Sequence, residues 1–308
     1  MTFLYKSEPA RGEHWKSVFA IREPDLAFHI WPEVGDPAKV RYMAAWLPPD
    51  DMATGYPNLE VLFSVGAGVD QLNLDAVPPH VKVVRMLDPG VPDMMAEFVV
   101  TAAMTLHGGL LAHRHRQDLG AWEPLPFRPV ASRRVGVLGL GRLGSVACAR
   151  LAAIGFQVAG WSRSRHAIAG VEAFSGADQL DAFLARTEIL VCLLPLTGET
   201  RGILGSDLFR RLPDGAMVVN AGRGGHLDQE ALLVALDSGR LAGAVLDVTD
   251  PEPLPADHPM RRHPRILITP HIAATAQPET SVEVVLENLR RLRTGEELLG
   301  LVDRRLGY

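Results

Sequence analysis

The ten residues Val135-Gly-Val-Leu-Gly-Leu-Gly-Arg-Leu-Gly144 constrain this chain more than any other stretch. They read as a short apolar strand running into a glycine-rich turn. Ser145-Val-Ala-Cys-Ala-Arg-Leu-Ala-Ala-Ile154 follows as a helix. Gly139, Gly141 and Gly144 fall in the G-x-G-x-x-G spacing. The first glycine permits a tight turn, the second lets backbone approach a pyrophosphate, and the third lets the helix pack closely on its strand. The N–H groups and dipole at the helix start then face the phosphates, with Arg142 and Leu143 beside them. Glycine-rich units also arise for packing alone. The legible strand before this turn and the helix after it favour a dinucleotide.

Beyond this unit the pattern is regular. Gln157–Trp161, Ile189–Leu194, Ala216–Asn220, Gly243–Asp247 and Ile266–Thr269 read as strands alternating with helices, as in a doubly wound sheet. Asp228 is placed to cap a helix over 229–238, with Gly239 as its stop. The first hundred residues repeat the alternation more loosely. Strands are expected at 3–5, 26–30, 40–46, 59–65 and 81–86, and a helix at 14–21. The segment Asp93–Leu111 is apolar all round, which predicts one long helix buried on several sides. His113-Arg-His-Arg116 reads as a solvated or subunit-facing helix, because its histidines do not share a helical face. The loop Trp122-Glu-Pro-Leu-Pro-Phe127 marks a shift in composition before the glycine-rich strand. A helix with apolar positions Val282, Val285, Leu286 and Leu289 is expected over 279–294.

A chain of 308 residues suggests about two domains. Its 47% hydrophobic and 22% charged content is that of a globular protein with a full core. The net charge of -5, with no basic half, argues against a nucleic-acid partner. Cys148 and Cys192 sit in apolar segments, so a disulfide framework is not expected and a reducing compartment is. The first residues lack a signal-peptide core, and no apolar run is long enough for a bilayer. The expected location is the cytoplasm, without a membrane partner. No metal site is expected.

The cofactor choice rests on the end of the second strand. The usual fingerprint has an Asp or Glu about twenty residues on, which holds the ribose 2′-hydroxyl. Here the strand ends Gly160-Trp-Ser-Arg-Ser-Arg165. Ser162 stands in the acid's place, followed by Arg163, Ser164 and Arg165. A carboxylate would repel a 2′-phosphate, whereas hydroxyl and guanidinium groups bind it. NADP(H) is therefore expected over NAD(H), which stays possible.

Three later strands end in a titratable or charged residue: Arg223 in Asn220-Ala-Gly-Arg-Gly224, Glu252 in Asp250-Pro-Glu-Pro253, and His271 in Thr269-Pro-His-Ile-Ala273. Strand ends in an open α/β sheet face the ligand crevice. Reduction of a ketone by hydride needs a proton on the carbonyl oxygen, and a His can supply it. A hydrogen-bonded Glu sustains the charged His. A substrate carboxylate calls for the fork of an Arg. Singly each residue also reads as a plain loop residue; the three together, after a dinucleotide fingerprint, point to chemistry. In the first half, Val65-Gly-Ala-Gly68 is either an anion loop or a simple strand-to-helix turn. Trp46 either walls a pocket or fills a core.

These motifs, with Leu194-Pro-Leu-Thr-Gly-Glu-Thr200 and Leu246-Asp-Val-x-x-x-Glu-Pro253, resemble those of the D-isomer-specific 2-hydroxyacid dehydrogenases. Trp161–Arg165, Leu212-Pro-Asp-Gly215, His263-Pro-Arg265 and the ending Val302-Asp-Arg-x-x-Gly-Tyr308 look most like the glyoxylate/hydroxypyruvate reductase A branch. The resemblance implies two α/β domains, Rossmann-like and flavodoxin-like, each a doubly wound parallel sheet, with a cleft between them. Residues 103–271 would bind the cofactor. Residues 1–102 and 272–308 would form the substrate domain. Arg223 would bind the substrate carboxylate, His271 would donate the proton with Glu252 as its partner, and the Val65, Gly66, Ala67 and Gly68 backbone would hold the carboxylate. Leu194, Pro195, Thr200, Ala221, Gly222, Asp247, His271 and Ala273 would line the cofactor. Gly222 departs from the family, which commonly has a Cβ before the catalytic Arg.

The implied reaction is NADPH-dependent reduction of glyoxylate to glycolate, or of hydroxypyruvate to D-glycerate. A homodimer through the cofactor domain is also implied. Two alternatives remain: a dehydrogenase for a bulkier 2-keto acid, and a non-enzymatic, corepressor-like dinucleotide sensor on the same scaffold.

Overall fold

A computed structural model describes residues 1–126 and 128–305. Phe127 of the proline-broken loop and Gly307-Tyr308 of the C-terminal motif lie outside the described residues. The chain divides into two compact units, Met1–Val91 with Thr275–Tyr308, and Pro92–Ala274. The sequence expectation set these divisions at 102/103 and 271/272.

The first unit holds strands β1 (Thr2–Lys6), β2 (Ala27–Ile30), β3 (Val40–Ala45), β4 (Val61–Ser64) and β5 (Lys82–Val84). They form a parallel sheet in the order β2-β1-β3-β4-β5. This is the flavodoxin-like order. Helix α1 (Pro9–Arg22) opens on a proline whose missing N–H costs nothing in the first turn. Its Trp15 and Phe19 pack with Phe3 and Tyr5 of β1. A single turn of helix, α2 (Met52–Gly55), follows β3.

The second unit begins with α3 (Val91–His107), which starts one residue before the division, and α4 (Leu110–Asp118). The expected single helix over 93–111 is thus broken. Gly108 and Gly109 interrupt it, and Gly109 takes a left-handed φ of 66° that ends the α-helical path. Met95, Ala96, Val99, Ala102, Ala103 and Leu106 of α3 are buried in the core. Among the described residues no single helix is long and apolar enough to cross a membrane.

Then come β6 (Arg134–Leu138), α5 (Arg142–Ile154), β7 (Gln157–Ser162), β8 (Glu172–Ser175), α6 (Leu180–Arg186), β9 (Ile189–Cys192), α7 (Ser206–Arg211), β10 (Ala216–Asn220), α8 (Gln229–Asp237), β11 (Leu241–Leu246) and β12 (Ile266–Ile268). The sheet is parallel in the order β12-β11-β10-β9-β6-β7-β8, so the chain turns back between β6 and β9. β9 and β10 are buried at every residue, as central strands covered on both faces require. Asp228 caps α8, its carboxylate accepting the Ala231 N–H at 3.0 Å. The sequence reading omitted β8, α6 and α7. Cys148 and Cys192 are free and buried, and burial pushes both thiols up to about 12.

Helix α9 (Pro278–Thr294) belongs to the first unit. Val282, Val285, Leu286 and Leu289 form its buried face, and the Trp15 indole N–H donates to the Pro278 carbonyl at 3.2 Å. Gly295, at φ 73°, ends it.

Candidate active site

The glycine turn has a distinct use for each glycine. Gly139 has φ 102°, and its N–H donates to the Trp161 carbonyl of β7 at 2.8 Å. A Cβ at Gly144 would overlap the Gly139 carbonyl oxygen, so the first turn of α5 sits directly on the loop. At Gly141 a Cβ would meet nothing within 4 Å. Packing therefore requires Gly139 and Gly144, while the space over Gly141 is open at the N-terminus of α5. That leaves backbone at the start of α5 open to a close approach. Arg142 is exposed at the helix start and Leu143 is half-buried.

At the end of β7, Ser162 is buried and its hydroxyl donates to the Ser164 carbonyl at 2.6 Å. Its proton is thus committed to the turn. The cationic donors left here are the exposed guanidinium groups of Arg163 and Arg165. Arg163 lies 3.6 Å from the Glu199 carboxylate. Ser164 and His166 are 3.3 Å apart.

The loop after β9 is shaped by Thr200, whose hydroxyl donates to the Pro195 carbonyl at 2.7 Å and accepts the Thr197 N–H at 2.8 Å. Leu194 and Ala221 beside it are buried.

After β10, the fully buried Asn220 straddles the arginine loop. Its side chain accepts the Gly222 N–H at 3.2 Å and donates to the Arg223 carbonyl at 3.0 Å. The half-buried Arg223 donates through Nη1 to the Gly222 carbonyl at 2.8 Å. Gly224 allows a close crossing, since a Cβ there would overlap the Thr249 carbonyl. The Thr249 N–H in turn donates to Glu252 Oε1 at 3.0 Å. Glu252 Oε2 lies 2.9 Å from His271 Nδ1. The carboxylate can only accept there, so Nδ1 carries the hydrogen and Nε2 faces away from Glu252. One run of contacts therefore joins the three strand ends that carry Arg223, Glu252 and His271.

His271 is the one non-glycine residue with positive φ among the described residues, at 55°. Such a conformation costs on the order of 1 kcal/mol and persists only where its surroundings enforce it. Here the enforcement comes from Asp247, which is 1% exposed. Its backbone carbonyl accepts the His271 N–H at 2.8 Å. Its Oδ1 accepts from the Thr269 hydroxyl at 2.6 Å and the Ile272 N–H at 2.9 Å, and Oδ2 accepts the Ala273 N–H at 2.9 Å. Asp247, expected beside a cofactor, thus anchors the His271 loop with both oxygens.

In the first unit, Val65–Gly68 follows β4. The Val65 N–H donates to the Ala45 carbonyl at 3.2 Å, and the Gly66 N–H to Ser64 Oγ at 3.2 Å. Ser64 also donates to the Gly68 carbonyl at 2.9 Å. Trp46 is 38% exposed, so it is not a core residue. Its indole lies on Gly66, where a Cβ would come within 2.7 Å of the ring.

The sequence reading missed Ser64, His226 and Thr249 as organising residues. The signal for Ser64 is a polar side chain where an apolar strand runs out, whereas Thr249 meets Glu252 through its backbone N–H, which leaves no mark in the sequence. His226 had no signal beyond its closeness to Arg223.

The family model for the D-isomer-specific 2-hydroxyacid dehydrogenase NAD-binding domain matches residues 100–273. Among solved structures, a D-isomer-specific 2-hydroxyacid dehydrogenase from Xanthobacter autotrophicus Py2, in complex with NADPH and MES, is 40% identical. It has a TM-score of 0.94 over 100% of this chain and 99% of that one. An NADPH-dependent glyoxylate/hydroxypyruvate reductase from Sinorhizobium meliloti, in complex with NADP and sulfate, is 34% identical, with TM-score 0.92 over 100% and 99%. A probable 2-hydroxyacid dehydrogenase from Rhizobium etli CFN 42, in complex with NADP, HEPES and L(+)-tartaric acid, is 36% identical, with TM-score 0.90 over the same shares.

Proposed function

The chain belongs to the D-isomer-specific 2-hydroxyacid dehydrogenases, and from that membership we propose that it reduces a small 2-keto acid with NADPH, glyoxylate to glycolate or hydroxypyruvate to D-glycerate. The observation that carries the reading is the 2.9 Å contact of His271 Nδ1 with Glu252 Oε2. It fixes the imidazole so that Nε2 is the atom left to exchange a proton with substrate.

The open backbone at Gly141 and the N-terminus of α5 suit the dinucleotide phosphates. Arg163 and Arg165, with no carboxylate at the end of β7, support NADPH over NADH, as do the NADPH and NADP bound to the three similar enzymes. When bound, the reduced nicotinamide supplies the hydride. Everything else falls to the chain. Arg223 binds the substrate carboxylate through its guanidinium fork and draws electron density from the neighbouring ketone. His271, protonated at both nitrogens, gives its Nε2 proton to the ketone oxygen as the carbon is reduced, and is left neutral with Nδ1–H still on Glu252. Glu252 stabilises the imidazolium and holds its ring plane. The same reading gives the Val65, Gly66, Ala67 and Gly68 backbone and Trp46 to substrate recognition. It also includes a homodimer through the cofactor domain, read out as a solution mass of two chains.

The test is initial-rate kinetics with glyoxylate, hydroxypyruvate and bulkier 2-keto acids against both cofactors. The small acids with NADPH are expected to give the highest kcat/KM. His271→Ala is expected to lose most of kcat, and Arg223→Ala to raise KM as well. Wild-type kinetics in both variants would overturn the assignment. Dinucleotide binding with no turnover on any keto acid would favour a sensor.

A further inference from the structure

His226 lies three residues beyond Arg223, at the end of a short 3-10 turn (Gly224–His226), and is fully buried. Buried histidines need a partner for each ring nitrogen. Here the partners are unequal. Nδ1 accepts the backbone N–H of Arg223 at 3.0 Å, and Nε2 lies 3.3 Å from the Pro195 carbonyl. A carbonyl only accepts, so Nε2 carries the hydrogen. Nδ1 receives an N–H, so it carries none. The pair of contacts therefore fixes one state, a neutral ring protonated at Nε2. The ring spans two loops, the one after β10 that bears Arg223 and the one after β9 that bears Leu194 and Pro195. The His226 carbonyl and N–H complete the tie, accepting from Leu204 at 2.9 Å and donating to the Arg223 carbonyl at 3.1 Å.

Gly222 belongs to the same arrangement. A Cβ there would come within 2.9 Å of His226 Nδ1 and 3.0 Å of Cε1, so the imidazole rests directly on the backbone before Arg223.

We infer that His226 is a positioning residue for Arg223: its neutral Nδ1 holds the Arg223 backbone N–H, and through it the direction in which the guanidinium is presented to the substrate carboxylate. Asn220 holds the next peptide, through the Arg223 carbonyl. Arg223 is thus gripped at both its N–H and its C=O by buried side chains. The inference rests on the reading of Arg223 as the carboxylate binder.

Two substitutions separate the two ring contacts. In His226→Asn the side-chain oxygen can occupy the place of Nδ1 and accept from Arg223, while the reach to Pro195 is lost. In His226→Gln the amide reaches toward Pro195, and the acceptor for Arg223 is lost. Glyoxylate KM and kcat are measured at saturating NADPH, beside the NADPH dissociation constant and Tm of each protein. Loss of one backbone hydrogen bond is worth about five- to tenfold in affinity. His226→Gln is expected to raise KM by about that factor with a smaller change in kcat, and His226→Asn to stay within about twofold of wild type. As a readout independent of turnover, oxalate titrated into the NADPH-saturated proteins should show the same order. Equal KM values and equal oxalate affinities in the two variants would overturn the inference. So would a fall in Tm common to both with KM unchanged, which would make the ring packing only. A wild-type protein inactive on every keto acid and blind to oxalate would instead remove the reading of Arg223, and this inference with it.

Discussion

Asp247→Asn tests how the His271 loop is held. The carboxylate takes three donors at 2.6, 2.9 and 2.9 Å in a site 1% exposed. An asparagine turned to keep the Thr269 and Ile272 bonds on its oxygen would point its amide nitrogen at the Ala273 N–H, donor against donor. That strands a buried N–H, at about 1–3 kcal/mol, and downgrades two charge-assisted bonds to neutral ones of about half the strength. Removing a buried carboxylate returns part of this as relieved desolvation. The net expectation is about 2–4 kcal/mol, which in a unit of this size lowers Tm by about 5–15 °C. The loop that loosens is the one that keeps His271 at φ 55°. A displacement of the imidazole on the order of 1 Å should lower kcat about 10- to 100-fold. Calorimetry and initial rates on the same preparation are the assay. A Tm within about 1 °C of wild type would refute the account of Asp247 as the anchor, because that leaves no room for even one unsatisfied N–H.

Gly141→Ala and Gly144→Ala should separate cofactor approach from packing. The first has space for its Cβ and is expected to keep Tm while weakening dinucleotide binding, whereas the second collides with the Gly139 carbonyl and is expected to lower Tm sharply; the reverse order in calorimetry and NADPH titration would refute the roles drawn for the two glycines. Glu188 gives a pH test. Burial opposes its charge, but hydrogen bonds from the Arg128 side chain and Arg134 backbone, with the charges of Arg128 and Arg133, outweigh it and hold the carboxyl below its ordinary value of 4.5. A depressed folded-state value means stability that is present above the unfolded value and lost as pH falls through the folded one. Glu188→Gln is therefore expected to lower Tm at pH 7, with the gap to wild type closing below pH ~4.5. A gap that stays constant down to strong acid would contradict it.

The legible parts of this molecule are those in which one residue type answers one physical demand. Glycines at 139 and 144 were readable because a left-handed φ and a carbonyl-to-helix contact exclude a side chain. β9 and β10 were readable because central parallel strands are apolar throughout. β8, α6 and α7 were not. They are short: β8 has only exposed and half-buried residues, and α6 and α7 each bury one adjacent apolar pair, Phe183-Leu184 and Leu208-Phe209, too few turns to show a period. The break at Gly108-Gly109 was hidden because apolar residues continue on both sides of it. At the candidate site, Arg223, Glu252 and His271 stood out as charged residues at strand ends. The groups that orient them did not, because Asn220, Asp247 and His226 act through backbone partners that only the folded chain brings near.

That division has an energetic consequence. Each proposed chemical side chain is partly exposed, and two are held by buried polar neighbours at a strand tip: Asn220 and His226 for the Arg223 loop, and Asp247 for the His271 loop. The Glu252 carboxylate is held instead by a backbone group, the Thr249 N–H. The His271 imidazole meets the exposed Glu252 carboxylate, so His271→Ala strands no buried group and should alter kinetics with Tm nearly unchanged, whereas Arg223→Ala also takes the guanidinium from the buried Gly222 carbonyl and is expected to lower Tm modestly. Truncating the buried neighbours strands backbone N–H and C=O groups in the core, which costs stability first and activity as a result. Asn220→Ala would leave both the Gly222 N–H and the Arg223 carbonyl without their partner, and is expected to lower Tm and raise keto-acid KM together. The orientation of the reacting groups is thus built from the same hydrogen bonds that stabilise the strand ends. A more rigid site and a more stable sheet are here one property of the chain.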